Sequence, residues 1–86
     1  MRFVTLVKLI PGKANEFFRI IKSRSVTIPE GIKVISAFLT YGSYDMVLIW
    51  EATDISKANE ALRQVAESGI VSTETMIAQS IEEFLG

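Results

Sequence analysis

Residues 34–52 read VISAFLTYGSYDMVLIWEA, two apolar runs broken by the polar stretch YGSYD at 41–45. Runs rich in β-branched and aromatic residues on either side of a Gly-X pair predict a β-hairpin. A type II′ turn needs positive φ at its first central position, here Gly42, and its twist suits paired strands. Strands over 32–41 and 44–52 then have a fixed register. On one side Tyr41 faces Tyr44, Leu39 faces Met46, Ala37 faces Leu48 and Ile35 faces Trp50. On the other, Thr40 faces Asp45, Phe38 faces Val47, Ser36 faces Ile49 and Val34 faces Glu51. The first side is bulkier and is assigned to the core, with Tyr41 and Tyr44 as an aromatic pair capping it.

Upstream, RFVTLVKLI at 2–10 reads as a strand stopped by Pro11-Gly12. Ala14, Phe17, Phe18 and Ile21 recur at spacings of three and four, which predicts a helix from Lys13 that fades around Arg24. SVTIPEG at 25–31 is a connection punctuated by Pro29 and Gly31. Downstream, Asp54 is an N-cap; Ile55, Ala58, Leu62, Val65 and Ala66 follow at helical spacing, and Gly69 ends the helix as a C′ residue. IVSTETMIAQSI at 70–81 reads as the last strand and EEFLG as a short tail.

Strand, helix, strand, strand, helix, strand is two β-α-β halves. The predicted class is therefore α+β, a ferredoxin-like βαββαβ in a single domain over 1–86, with a four-stranded antiparallel sheet and two helices on one face. The other face shows Phe38, Val47, Ile49 and Val34, joined by Val4 and Leu6. No helix is left to cover it, so the expected partner is a second copy of the chain, sheet against sheet.

Bulk properties narrow the function. Eighty-six residues form one thin core, yet 49% of them are hydrophobic, more apolar surface than so small a body buries alone. The chain has no Cys and no His, which removes thiolate chemistry and the commonest general base and metal ligand. Neither a cofactor nor a metal is expected. A net charge of −1 argues against direct nucleic-acid binding. Lys8 interrupts the only early apolar run and no stretch has the length of a membrane span, so the expectation is a cytoplasmic protein without a signal peptide or membrane contact. Residues 1–33 carry a net +5 and residues 34–86 a net −6. This asymmetry reads either as attraction between halves or copies, or as an anion site around Lys13, Arg19, Lys22 and Arg24; attraction is the simpler reading.

YGSYDMVLIWEA at 41–52 followed by GIVSTETMIAQS at 69–80 resembles the GYD-domain family, named for a glycine-any-tyrosine-aspartate signature, here Gly42, Tyr44 and Asp45. The chain is also similar to the effector-binding half of the leucine-responsive/AsnC-type transcription regulators, through the same hairpin and a last strand with Val71, Thr73 and Thr75. The first resemblance spans nearly the whole chain, matching less well in the first helix and SRSVTIPE at 23–30. It implies a ferredoxin-like dimeric α/β barrel that often assembles further. By analogy with the regulators it implies a small-molecule site where hairpin turns meet between subunits. No helix-turn-helix precedes the domain in these residues, so a DNA-reading role does not carry over.

The candidate ligand-binding residues are Thr40, Gly42, Ser43, Tyr44, Asp45, Thr73 and Thr75. Asp45 would receive the ammonium of an amino acid or similar small carboxylate, and the N–H groups of Gly42 and Ser43 its carboxylate. Each also has a plain structural reading: Gly42 serves the turn, the tyrosines cap the core, Asp45 bonds a nearby amide or Thr40, and the threonines are good strand formers. The leading function class is a non-enzymatic oligomeric ligand-sensing module. The alternative is a small dimeric α/β-barrel enzyme, of the cofactor-free monooxygenase or lactone-isomerase kind, drawing on Asp45, Glu51, Glu74 or a tyrosine. Glu51 itself reads as a strand end reaching water or a charge facing Lys8 or Lys33 of a neighbour.

Overall fold

The computed structural model describes residues 1–23 and 27–86. Along the chain run β1 (Arg2–Leu9), α1 (Ala14–Ser23), β2 (Ile32–Leu39), β3 (Met46–Ala52), α2 (Ile55–Glu67), β4 (Val71–Ala78) and α3 (Ile81–Leu85). The strands form one antiparallel sheet in the order β2-β3-β1-β4. This is the βαββαβ order expected. Arg24, Ser25 and Val26, on which the end of the first helix, the start of the following connection and part of the basic cluster fall, lie outside the described residues.

Alternation along β1 separates the two faces of the sheet. Phe3, Thr5 and Val7 are buried, while Val4 and Leu6 between them are only half-buried. The buried face lies under α2: Phe3 and Trp50 stack with ring centroids 4.6 Å apart, and Ala52, Leu48 and Ile32 of the sheet join Ala58 and Leu62 of the helix around them. From α1, Phe17 is buried. A polar chain crosses this core. The Trp50 indole N–H donates to Thr5 Oγ1 at 2.8 Å, and Thr5 Oγ1 is hydrogen-bonded to Thr75 Oγ1 at 2.8 Å. Every buried side-chain polar atom among the described residues has a partner, so the chain is satisfied and fixes the relation of β3, β1 and β4.

Caps and turns follow the sequence where local chemistry decides them. Asp54 Oδ1 accepts from the Lys57 amide at 2.9 Å, and Gly69 takes φ 71° just beyond α2. The β2–β3 register and the tail depart from expectation. The register holds for Leu39–Met46, Phe38–Val47, Ala37–Leu48 and Ser36–Ile49, but a bulge between Val34 and Ser36 then shifts it. Val34 stands opposite Trp50 and Lys33 opposite Glu51, so Ile35 does not face Trp50 and Val34 leaves the open face. An extra residue there lets Ile32 reach Ala52 in the core. The tail is the second departure. Residues 81–85 form a helix, with the Glu83 amide donating to Ser80 Oγ at 3.0 Å.

The uncovered face has a plan. The register places Met76, Val4, Ile49 and Ser36 in one row across the sheet, and Glu74, Leu6, Val47 and Phe38 in the next. Charged rows lie beyond: Arg2, Glu51 and Lys33 at one end, with an Arg2–Glu51 ion pair at 3.1 Å, and Lys8 at the other. An apolar belt is thus rimmed by charge, as the centre and edge of a protein interface are.

Candidate functional site

The connection between β2 and β3 is wider than the sequence suggests. The strands end at Leu39 and Met46, and the Thr40 amide donates to the Asp45 carbonyl at 2.9 Å, closing a four-residue loop over 41–44. The positive-φ glycines are Gly12, Gly31 and Gly69; Gly42 is not among them. The type II′ turn is therefore corrected to a longer loop that does not require glycine at 42, where an added Cβ would meet nothing within 4 Å. Tyr41 is fully exposed and faces no tyrosine, so the aromatic cap is corrected too.

Side-chain bonds determine this loop. Thr40 Oγ1 donates to the Tyr44 carbonyl at 2.7 Å, bracing the loop from inside. Asp45 is held twice against β1: its amide donates to the Val7 carbonyl at 2.8 Å, and its Oδ2 accepts from the Leu9 amide at 2.8 Å. With a backbone bond and a charge-assisted one at the same residue, Asp45 nails the loop to the end of β1. Tyr44 reaches across β1, and its hydroxyl donates to Glu74 Oε2 of β4 at 2.8 Å. That hydrogen bond, then the negative charge of Glu74, then slight desolvation push the Tyr44 phenol above its ordinary value and keep it protonated as a donor.

Five of the seven candidates, Thr40, Gly42, Ser43, Tyr44 and Asp45, share this loop. Thr73 lies in the row of Val7 and Met46 at the same end of the sheet. Thr75 stands one row further in, on the side of Thr5, to which it is bonded. Glu74 lies on the opposite face from both threonines, as alternation requires. Among the described residues the amides of Gly42 and Ser43 donate to no partner, and Asp45 Oδ1 has none either.

The acids that an enzymatic reading would use are each engaged, Asp45 by Leu9, Glu51 by Arg2 and Glu74 by Tyr44. Among the described residues no group of acidic side chains could hold a metal ion, and no helix is long and apolar enough to cross a membrane. Two shallow depressions lie elsewhere, one along α2 at Ser56, Glu60, Arg63, Gln64 and Glu67, the other at the far sheet end around Gly31, Lys33, Glu51 and Thr53. The loop therefore presents an open wall with polar groups available on it. Sequence reasoning missed Leu9, whose role is played by its backbone, and Thr5 and Trp50, whose bond depends on register.

Comparison with known proteins bears on the family and the fold. The family model for the GYD domain matches residues 12–86. No curated protein matches the chain. Among solved structures, one titled "crystal structure of FFRP-DM1" superposes with a TM-score of 0.65 over 91% of this chain and 97% of its own, at 22% identity. At that identity the likeness is one of fold, and it is the fold of the resemblance to the leucine-responsive/AsnC-type regulators.

Proposed function

The chain belongs to the GYD-domain family, and from that premise we propose that it is a ligand-sensing module built as a homodimer. Two open sheet faces close on each other as a dimeric α/β barrel, and a small-molecule site forms at the 41–45 loop on the subunit boundary. The observation that carries this reading is the apolar belt of Val4, Leu6, Phe38, Val47, Ile49 and Met76 between charged rims. Burial of about five such side chains contributes roughly 1.5–3 kcal/mol each, against an association cost estimated at about 4–15 kcal/mol. The energies permit a dimer without any ligand.

The site's wall is Thr40, Gly42, Ser43, Tyr44 and Asp45, with Thr73 beside it at the end of the sheet; Thr75, bonded to Thr5 on the α2 side, supports the wall from behind. Its chemistry suits a zwitterion. Asp45 Oδ1 receives an ammonium, while the Gly42 and Ser43 amides receive a carboxylate. An amino acid or a comparable small carboxylate is the expected ligand class, bound without chemical change.

The test is a thermal-shift screen of amino acids and small carboxylates. Bound ligand at a hundredfold excess over its Kd adds about 2.7 kcal/mol to the folded state. Asp45→Asn keeps an oxygen for the Leu9 amide but removes the charge. The expected result is a hit whose shift is lost in Asp45→Asn; a hit that shifts both proteins equally places the ligand elsewhere, and no hit removes the sensing role.

A further inference from the structure

We propose that α3 is a docking arm that seats on α1 of a second copy of this chain, so that the protein assembles beyond the sheet-paired dimer. Ile81, Phe84 and Leu85 are 73–76% exposed, an unusual state for three large apolar residues in a five-residue helix. At about 100° per residue they form one face, with Glu82 and then Glu83 following around the helix. α1 presents the matching arrangement. Phe17 faces inward, and moving around the helix Ile21 and Phe18 come next, 39% and 46% exposed, followed by the exposed Lys22 and Arg19. Neither Arg19 nor Lys22, and neither Glu82 nor Glu83, is in an ion pair among the described residues.

Each helix thus has an apolar strip edged by one sign of charge, and the signs are opposite. The protomer leaves both strips exposed, so its own folding satisfies neither. A second copy supplies both complements at once: α3 of each chain on α1 of the other is a self-complementary arrangement about a two-fold axis. Acidic residues on α3 also disfavour an anionic lipid surface as its occupant. This contact uses none of the residues of the open sheet face or of the 41–45 loop.

The experiment is sedimentation velocity of the full chain from low to high micromolar concentration. The unmodified protein is expected to form species larger than a dimer, and Phe84→Asp to stop at the dimer, its Kd for further assembly raised roughly 10- to 100-fold. Reversing charge on one side only, by Glu82→Lys with Glu83→Lys or by Arg19→Glu with Lys22→Glu, should weaken that step roughly three- to tenfold. All four reversals together should restore it. Assembly that Phe84→Asp leaves unchanged, or that the four reversals do not restore, overturns the proposal. So does recruitment of the chain to neutral lipid vesicles without larger species. Val47→Lys keeps this outcome separate from failure of the sheet dimer, because association that depends on Phe84 should persist in it.

Discussion

In the Phe84→Asp background, where association through α3 is removed, Val47→Lys should abolish the sheet-paired dimer, seen in light scattering behind size exclusion at micromolar concentration as conversion to monomer. Val47 sits at the centre of the uncovered face, between Leu6 of β1 and Phe38 of β2 in the same row. If a second sheet covers this row, an ammonium there is taken out of water with no carboxylate placed to receive it. Its one acidic row-mate, Glu74, is two strands away and already accepts from Tyr44. The cost is several kcal/mol per ion, and two copies meet in the interface, so loss of more than a thousandfold in affinity is expected. Gln64→Lys, a lysine placed on the exposed side of α2, should leave the dimer intact. A protein carrying both Val47→Lys and Phe84→Asp that keeps its dimer would show that the chain associates through a surface other than the open sheet face.

Asp45→Ala should lower thermal stability far more than Asp45→Asn. Alanine leaves the part-buried Leu9 amide without an acceptor, which costs about 1–3 kcal/mol. In a domain of this size each kcal/mol moves Tm by about 4–8 °C, so a fall of roughly 5–20 °C is expected. Asparagine offers a side-chain oxygen at the same place and should recover most of the loss. Thermal melts of the three proteins check it. Equal losses in both variants would mean that the negative charge, and not the bond to Leu9, holds the loop.

What the sequence disclosed and what it concealed divide by the range of the physics. Caps at Asp54 and Gly69, strand order, and the face of Val4, Leu6, Val47 and Ile49 rest on local chemistry and period-two alternation, and they are legible. The loop is different. Gly42 fits a turn signature, but Thr40 and Asp45 bond to partners in the loop and in β1, and these tertiary bonds select a wider connection than the local signal does. The bulge at Ile35 is set by the need to place Ile32 in the core, which no local pattern announces. The last helix did carry a signal: Ser80 followed by Glu83 is the capping-box spacing, before which EEFLG reads as a tail. Within the candidate site, Asp45 as the residue that fastens the loop was one of two readings open from the sequence, and the bond to Leu9 shows that it has this role at least.

The account rests on the open sheet face being closed by its own copy. Sedimentation equilibrium of the unmodified chain tests this most directly, since the protomer is 9.6 kDa and the mass of a dimer is unambiguous. The expected result is a dimer or a multiple of it, with no monomer in the low micromolar range. A stable monomer at those concentrations would contradict the account, because the belt of Val4, Leu6, Phe38, Val47, Ile49 and Met76 would then be a surface that water, not a partner, covers.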